Sequence, residues 1–317
     1  MHNQKTEVSA AAEKIIGQVR KAVIGKDAVL EWVLTAILAK GHILLEDIPG
    51  VGKTTMALAF SKTLGLAHNR VQFTPDVLPS DVTGYSVLDQ ATGQMTYRPG
   101  AILCNLFLAD ELNRATSRTQ SALLEAMEEE QVTVDGVSHI LPKPFVVIAT
   151  QNPTGAAGTQ LLPDSQIDRF TVQLSLGYPS PEDEFTMVKS RQKENPLKAM
   201  QPVLTLEALA ALQEAVAQTF VSDEIVSYAV ALIHATRTTP LLERGASPRA
   251  TLAVIAMAKA VAQLQGRDYV VPGDVQKVLQ PTVAHRLHLS DKAQSQALTV
   301  QQVLKQLLDT VSAPVIR

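Results

Sequence analysis

The spacing of apolar residues divides the chain into an alternating first part and a helical second part. Apolar positions recur at helical spacing over 8–23 and 27–39, and a short apolar strand, 43–46, follows. After a glycine-rich loop the helical pattern resumes over 53–64. Further strand-like runs lie at 70–73, 103–109, 145–150 and 171–174. This alternation predicts an α/β fold in which a parallel five-stranded sheet lies between two layers of helices.

The strand pattern ends near residue 181, and the remaining chain is rich in Ala, Leu, Val and Gln at helical spacing. Helices are predicted at 205–218, 222–236, 247–264, 272–279 and 295–310. We therefore predict an αβα domain over 1–195 and an all-helical domain over 196–317.

Composition and charge remove several classes of function. The chain has 28 Lys and Arg against 31 Asp and Glu, so it offers no overall cationic field for nucleic acid or anionic lipid. Aromatic residues make up 4% of the chain, which argues against a base-stacking surface. The chain has 1 Cys, which excludes an intramolecular disulfide and a Cys-rich zinc site.

The apolar runs are too short to span a membrane. The two most apolar stretches, 101–109 and 252–264, fall below the roughly 20 residues that a spanning helix needs. The first residues are polar or charged and do not resemble an export signal. We therefore expect a soluble, cytoplasmic protein without membrane insertion.

A loop that can surround phosphates connects the first strand to the next helix. Residues 49–54 read PGVGKT, which resembles a Walker A motif and predicts a P-loop NTPase core. Lys53 would contact the β and γ phosphates of a nucleotide, and Thr54 would bind Mg²⁺. The first glycine of the motif is replaced by Asp47. Because a carboxylate would repel the phosphates, we expect Asp47 to point away from them.

Two acidic residues follow a later strand in the manner of a Walker B motif. Asp110 would bind Mg²⁺, and Glu111 would orient and partly deprotonate the water that attacks the γ phosphate. Asn152 follows the next strand, at the sheet edge where α/β folds bind ligands. It would position the attacking water, as a sensor 1 residue does, or it would only begin a turn before Pro153.

Five segments, in order, resemble the MoxR family of AAA+ ATPases. They are ADELNRA (109–115), QSALLEAM (120–127), QVTVDG (131–136), ATQNP (149–153) and LPDSQIDRF (162–170). The resemblance covers nearly the whole chain, and it implies a helical lid after the core. It also implies ATP and Mg²⁺ as cofactors and a ring of subunits, usually a hexamer.

The resemblance assigns arginines to the nucleotide. Arg169 is the candidate finger that reaches the nucleotide of the neighbouring subunit, with Arg114 in reserve; the alternative for Arg169 is a local ion pair. Arg249, in the first turn of a predicted lid helix, is expected to sense the γ phosphate from the lid. A solvent-exposed arginine is the alternative reading.

The complete predicted site follows from these motifs. The catalytic residues are Glu111, Asn152, Arg169 and Arg249, and the metal ligands are Thr54 and Asp110. The nucleotide-binding residues are Val23, Ile24, Pro49, Gly50, Val51, Gly52, Lys53, Thr54 and Thr55.

Two hairpins extend the resemblance to the helix-2 insert group of AAA+ proteins. Residues 85–97 resemble the helix-2 insert, and 132–141 resemble the hairpin that precedes sensor 1. Such hairpins face the central pore or the client protein, or they pack within the ring.

The resemblance implies a chaperone-like ATPase that remodels, matures or metallates a protein client. A separate partner with a von Willebrand factor A domain often accompanies such proteins. One alternative is an assembly scaffold that binds nucleotide with little turnover. Another is a DNA-dependent motor, which the acidic charge balance disfavours.

Overall fold

The structure of the protein is a computed structural model that describes residues 6–48, 50–152, 162–192 and 195–315. Pro49, part of the predicted nucleotide set, lies outside the described residues, as does Pro153.

A five-stranded parallel sheet forms the centre of the first domain, as predicted. The strands of this domain are β1 (Ile43–Glu46), β2 (His68–Gln72), β3 (Gly84–Leu88), β4 (Met95–Pro99), β5 (Leu106–Asp110), β6 (Gln131–Val134), β7 (Val137–Ile140), β8 (Val146–Gln151) and β9 (Val172–Leu174). The sheet order is β2-β5-β8-β1-β9, and every neighbouring pair is parallel. The carboxyl ends of β1, β2, β5 and β8 therefore meet at one edge, which we call the carboxyl edge; the opposite side is the amino edge.

Helices cover both faces of the sheet. The helices of this domain are α1 (Glu7–Val19), α2 (Asp27–Leu38), α3 (Lys53–Thr63), α4 (Pro79–Thr83), α5 (Ser117–Glu129), α6 (Asp164–Ile167) and α7 (Pro181–Arg191). Side chains alternate between faces along each strand. Leu106 and Leu108 join a cluster with α1–α3, whereas Phe107 and Ala109 join a second cluster with α5. This division confirms the three-layer αβα core.

Two hairpins stand outside the central sheet, where the sequence predicted them. β3 pairs with β4 and β6 pairs with β7, both antiparallel. The rings of Tyr97 and His139 stack with centroids 3.6 Å apart, so the two hairpins contact each other. Their outer sides are apolar, since Leu88, Met95 and Ile140 are exposed.

The second domain is a helical lid. Its helices are α8 (Pro196–Ala199), α9 (Leu206–Ala217), α10 (Asp223–Thr238), α11 (Pro248–Leu264), α12 (Pro272–Val283), α13 (Asp291–Ser295) and α14 (Val300–Thr310). A short antiparallel pair, β10 (Leu242–Arg244) with β11 (His288–Leu289), interrupts the helices. The helical lid is confirmed, whereas the domain division at residue 195 stays a prediction.

Two predicted lid helices have different ends. The helix predicted over 295–310 begins at Val300, because Thr299 and Gln302 form a capping box there. The helix predicted to end at 279 continues as α12 to Val283, with Pro281 inside it. Similarly, α2 takes Lys26 as its N-cap, not the predicted Asp27. Among the described residues, we find no helix with the length and apolar character needed to span a bilayer.

Candidate active site

The predicted phosphate-binding loop lies at the carboxyl edge, between β1 and α3. Gly50 and Gly52 have φ values of 89° and 100°, in the left-handed region that favours glycine. A Cβ atom built on either glycine would meet nothing within 4 Å, so the loop surrounds open space. Helix α3 begins at Lys53, so the N–H groups of its first turn are free to bind an anion.

Lys53 is held at the base of this loop. Its Nζ donates to the backbone oxygen of Asp47 at 2.5 Å and lies 3.5 Å from that of Ile48. Burial lowers the pKa of Lys53, while the nearby carboxylates of Asp47 and Asp110 oppose that shift. A charged amine that is partly removed from water is well suited to a phosphate ligand.

Asp47 points away from the loop, as its charge predicted. Its carboxylate accepts hydrogen bonds from Ser175 Oγ at 2.8 Å, Leu176 N at 2.5 Å and Gly177 N at 3.1 Å. The side chain therefore joins the end of β1 to the segment that follows β9. Asp47, which replaces the first glycine of the Walker A pattern, therefore has a structural function. Its carboxylate does not enter the space expected for the phosphates.

Thr54 and Asp110, the two predicted metal ligands, are brought together. Thr54 Oγ1 lies 3.4 Å from Asp110 Oδ2, and Asp110 Oδ1 accepts from Thr150 Oγ1 at 2.7 Å. The Asp110 side chain also forms an ion pair with Arg70, whose Nη2 lies 2.7 Å from Oδ2. A hydroxyl beside a carboxylate is a donor set that Mg²⁺ accepts.

Glu111 faces the same space from a left-handed backbone conformation, with φ of 57°. Its Oε2 accepts from Arg114 Nη1 at 2.8 Å. This bond is the main cause that lowers the pKa of Glu111, and hydrogen bonds from Asn152 and Gln72 act in the same direction. Glu111 is thus a carboxylate held by several donors beside the metal position.

Asn152 is placed by another amide that the sequence pattern did not single out. The side chain of Asn113 donates to the backbone oxygen of Asn152 at 3.2 Å and accepts from its N–H at 3.3 Å. Because the side chain of Asn152 also bonds Glu111, the predicted sensor 1 residue and the predicted base are neighbours.

Arg70, Gln72 and Thr150 are further site residues that sequence reasoning missed. The parallel register pairs Gln72 with Asp110, and residues two apart share a face of a strand. A polar pair at 70 and 72, in a strand expected beside the Walker B strand, is the signal that could have identified them.

The remaining predicted nucleotide residues lie around the loop. Val23 is buried, Ile24 is partly buried, and both precede Gly25, which has a φ of 71°. Val51 packs against the core cluster, and Thr55 is partly buried in the first turn of α3. Their assignment to the nucleotide stays a prediction.

The described residues fit a magnesium nucleotide. The glycine loop is open, a helix begins behind it, Lys53 lies beside it, and an oxygen pair from Thr54 and Asp110 lies in front. Phosphates and a hard divalent cation are the groups that such donors bind.

Arg169 and Arg249 come together elsewhere, on Glu128 of α5. Arg249 Nη2 bonds Glu128 Oε1, and Arg169 Nη2 lies 3.4 Å from Oε2 of the same carboxylate. Arg249 Nη1 also lies 3.8 Å from Asp168. We call Arg169 and Arg249 the arginine pair.

The arginine pair lies at the amino edge, far from the phosphate loop of its own chain. Met127, next to Glu128, bonds through its backbone oxygen to His42 Nε2 at 3.2 Å, and His42 immediately precedes β1. The five steps from His42 to Asp47 extend roughly 16 Å along the strand direction. In this arrangement Arg249 lies at the edge opposite its own phosphate loop, and its role as a sensor of a γ phosphate stays a prediction.

Arg286 fixes the lid at that edge. Its side chain is 3% exposed, and its Nε donates to Asp168 Oδ1 at 2.8 Å. Arg286 Nη2 also donates to the backbone oxygen of Phe170 at 2.7 Å. Ser247, the N-cap residue of α11, donates to the same Asp168 carboxylate at 2.9 Å. The start of α11, and Arg249 with it, is thereby placed next to Arg169.

Family models and related proteins agree on the family to which the chain is similar. The family described as ATPase family associated with various cellular activities (AAA) matches residues 42–172, and the family described as AAA lid domain matches 234–307. The chain is 43% identical over 304 residues to the uncharacterised protein YeaC of Bacillus subtilis, covering 96% of this chain and 95% of that one. It is 39% identical to Chaperone MoxR1 of Mycobacterium tuberculosis, over 95% of this chain and 82% of the relative.

A solved structure shares the whole architecture. The crystal structure of a protein from Cytophaga hutchinsonii, described as an ATPase, superposes with a TM-score of 0.89 at 32% identity. The superposition covers 97% of this chain and 96% of that one, so the relation between core and lid is included.

Proposed function

Because the chain belongs to the MoxR family of AAA+ ATPases, we propose that its ATPase activity drives chaperone-like remodelling of a protein client by a ring of subunits. The proposed cofactor is a magnesium nucleotide. The proposed location is the cytoplasm.

The chain's own residues supply binding and water activation. The N–H groups of residues 50–54 and the Lys53 ammonium hold the phosphates, and Thr54 and Asp110 hold the metal. Bound Mg²⁺ neutralises charge on the transferring phosphoryl group. Glu111 accepts a proton from the attacking water, and Asn152 orients that water.

The observation that carries the ring is the separation between the arginine pair and the phosphate loop. A guanidinium can stabilise charge on the transferring phosphoryl group, and Arg169 and Arg249, the two arginines that the family resemblance assigns to the nucleotide, both lie away from their own loop. Arg70 and Arg114, which lie at that loop's site, are paired with Asp110 and Glu111. An arrangement in which the amino edge of one subunit meets the carboxyl edge of the next brings both arginines to a nucleotide.

A client would contact the exposed apolar side of the two hairpins. Leu88, Met95, Val137 and Ile140 lie on these hairpins and are each more than half exposed, and apolar side chains in such positions mark protein contacts. The chaperone-like activity is supported by the name of the relative Chaperone MoxR1. We further propose maturation or metal loading of the client, with a separate von Willebrand factor A domain partner and a ring of six.

Substitutions at Lys53 and Glu111 test the chemistry. Lys53→Ala should abolish binding of a fluorescent ATP analogue because it removes the phosphate cation. Glu111→Gln should bind the analogue normally and lose at least about 100-fold in steady-state phosphate release, because it removes the base. Lys14→Ala, on the exposed side of α1, is the control and should behave as wild type. Normal turnover by Glu111→Gln would refute the assignment of the base.

Mixing experiments test the ring and the direction of the arginines. Arg169→Ala and Arg249→Ala should each be inactive alone while binding nucleotide. Equal mixing of either variant with Lys53→Ala should restore phosphate release at about one junction in four, where an intact loop meets intact arginines. If Arg249 acted on its own subunit's nucleotide, only the Arg169→Ala mixture would recover. No recovery by either mixture at assembling concentrations would exclude arginines acting between subunits.

A further inference from the structure

Helix α7 presents an exposed apolar face. It has 11 residues, and none of its side chains that the structure describes is buried. Phe185 and Val188, three positions apart on one face, are 67% and 51% exposed. Isolated helices shorter than roughly 12–15 residues are marginal in water, and most helices gain stability by burying an apolar face. The exposed apolar face of α7 is therefore a candidate surface for contact with another subunit.

Helix α7 lies beside the phosphate loop. It begins four residues after Gly177, whose N–H donates to Asp47 at 3.1 Å. Tyr178, which precedes the helix, accepts through its backbone oxygen from Lys26 Nζ at 2.7 Å. The carboxylate of Asp183 packs against Gly25, next to the predicted nucleotide residue Ile24. A neighbour that reaches this nucleotide must therefore pass close to α7.

An open apolar groove lies on the opposite side of the molecule. We call it the lid groove; it has a volume of about 420 Å³ between the end of α2 and helices α9, α10 and α11. Its apolar rim includes Val226 and Leu252, which are 39% and 73% exposed. Among the residues that the structure describes, the charged side chains that line the groove are those of Lys40 and Lys259. Lys40 also lies 3.6 Å from Glu214, which is not part of the lining.

Charge on the helix complements charge in the groove. The first turn of α7 carries Glu182, Asp183 and Glu184, whereas α11, which forms one wall of the groove, contains no acidic residue. Lys189 lies toward the other end of α7, and its Nζ is 5.7 Å from the centre of the Phe185 ring. The groove lysines therefore attract the acidic first turn of α7 and not the end that carries Lys189.

The position of Arg249 connects the two surfaces. Residues three apart on a helix lie about 5–6 Å from each other, so Leu252 follows Arg249 on one side of α11. A subunit whose Arg249 reaches the neighbour's phosphates also presents Leu252 to the neighbour's carboxyl edge. Helix α7 stands at that edge.

We propose that α7 of one subunit docks in the lid groove of the next subunit, with Phe185 and Val188 against Val226 and Leu252. The inference rests on the proposed contact of Arg249 between subunits. The helix and the groove are different surfaces of one chain, so the contact is heterologous. Its repetition forms a ring when the rotation between subunits closes. It places the lid of one subunit on a helix adjacent to the neighbour's nucleotide.

Disulfide trapping tests this contact directly. The native Cys104 is 3% exposed and burial raises the pKa of its thiol to about 11, so it stays protonated at neutral pH and need not be removed. Single variants Phe185→Cys or Val188→Cys are mixed with Val226→Cys or Leu252→Cys, with Mg²⁺ and a nonhydrolysable ATP analogue, and oxidised. Phe220→Cys, at a position 65% exposed and outside the groove, replaces the groove cysteine as the control.

We expect covalent dimers in at least one of the four mixtures, and none in the control mixture or in any single variant. A chain carrying both cysteines of the linking pair should give a ladder of bands that extends to the size of the ring. Mass photometry of the same samples reports assembly without relying on ATPase activity.

Three outcomes would overturn the proposal. Rings that assemble without a link in any of the four mixtures would refute the docking contact and leave the ring intact. A link within the Val188→Cys variant alone would show that two α7 helices meet each other. Absence of assembly at every concentration would refute both the ring and the contact.

A substitution in α7 gives an independent measurement. Phe185→Asp should raise the subunit concentration for half-maximal assembly by at least about tenfold, because burial of a large apolar side chain is lost. Phe220→Asp is the matched control and should leave that concentration unchanged. Equal assembly by Phe185→Asp and wild type would also contradict the docking of α7.

Discussion

Asp110 and Glu111 are adjacent in sequence, and their different neighbours separate their proposed functions. Asp110 lies against Thr54 and Thr150, the oxygen-rich side of the site. Glu111 lies against Arg114 and Asn152, on the side where an attacking water would be placed. A metal ligand and a base can therefore come from neighbouring positions, because the turn after β5 sends the two side chains to different partners.

Removal of the Arg114 guanidinium should shift the pH dependence of turnover. Arg114 lowers the pKa of Glu111, and a base must be deprotonated to act. In Arg114→Ala the pKa of Glu111 rises, so the acidic limb of the kcat profile should move to higher pH while its alkaline limb stays. Arg118→Ala, at an exposed position of α5, should leave both limbs unchanged. An acidic limb that does not move, or that moves to lower pH, would contradict the contact.

At the scale of single residues, the sequence predicted the chemical roles of the site residues better than the side chains that they contact. The P-loop residues and the two acids follow from motif spacing, and Asp47 follows from the repulsion between like charges. Arg70 was missed because its partner, Asp110, lies on a different strand. Pairings across the sheet depend on register, which a motif does not specify.

At the scale of elements, His42 joins helix α5 to the sheet. Its Nδ1 accepts from Val147 N at 3.0 Å, so its Nε2 carries the proton and donates to Met127 O. Burial lowers the pKa of His42 to about 4. The neutral ring thus fixes the carboxyl end of α5, and with it Glu128, at the amino edge.

This pKa predicts a loss of stability in mild acid. An unfolded chain binds a proton at His42 near its ordinary pKa of 6.5, whereas the folded chain binds one only near 4. The contribution of His42 is therefore complete above pH 6.5 and is lost as the pH falls toward 4, by up to about 3 kcal/mol. Urea unfolding between pH 4 and 7 measures this slope.

His42→Gln should flatten that slope, because it removes the titrating group. The control His234→Gln, at an exposed position of α10, should keep the slope of the wild type. His285, whose pKa burial lowers to about 3, contributes a similar slope that persists in both variants. An unchanged slope in His42→Gln would contradict the account.

The sequence predicted most elements because they have strong local patterns. β1 has the predicted bounds, 43–46, and the five central strands were each found within a few residues. The error at 295–310 arose where a short helix, α13, precedes α14 with apolar residues on both sides of the turn. Periodicity alone does not separate two helices whose apolar faces are in phase.

At the scale of the molecule, the core and the lid share one apolar cluster. Ile15 of α1, Leu34 of α2 and Val254 of α11 are fully or almost fully buried within it. The buried pair of Arg286 with Asp168 adds a polar connection. We therefore expect core and lid to unfold together.

Arg286→Met should lower the free energy of unfolding by about 3 kcal/mol. The substitution removes the main ion-pair partner of Asp168, although Ser247 and Arg249 still contact its carboxylate. We therefore expect a loss of stability near the low end of the roughly 3–5 kcal/mol that removal of one partner of a buried ion pair costs. Urea unfolding followed by Trp32 fluorescence and by far-ultraviolet circular dichroism should give one coincident transition in the wild type. A variant as stable as wild type, or separate transitions in the wild type, would contradict this coupling.

The sequence by itself determined the αβα core, the helical lid, the phosphate loop and the acids beside it, because each depends on local periodicity or on motif spacing. Tertiary structure alone decided that Arg249 lies at the edge opposite its own loop, and that Arg169 and Arg249 share Glu128. The lid's position depends on burial between elements far apart in the sequence and on one buried arginine. Local periodicity and motif spacing do not specify how elements far apart in the sequence pack against each other.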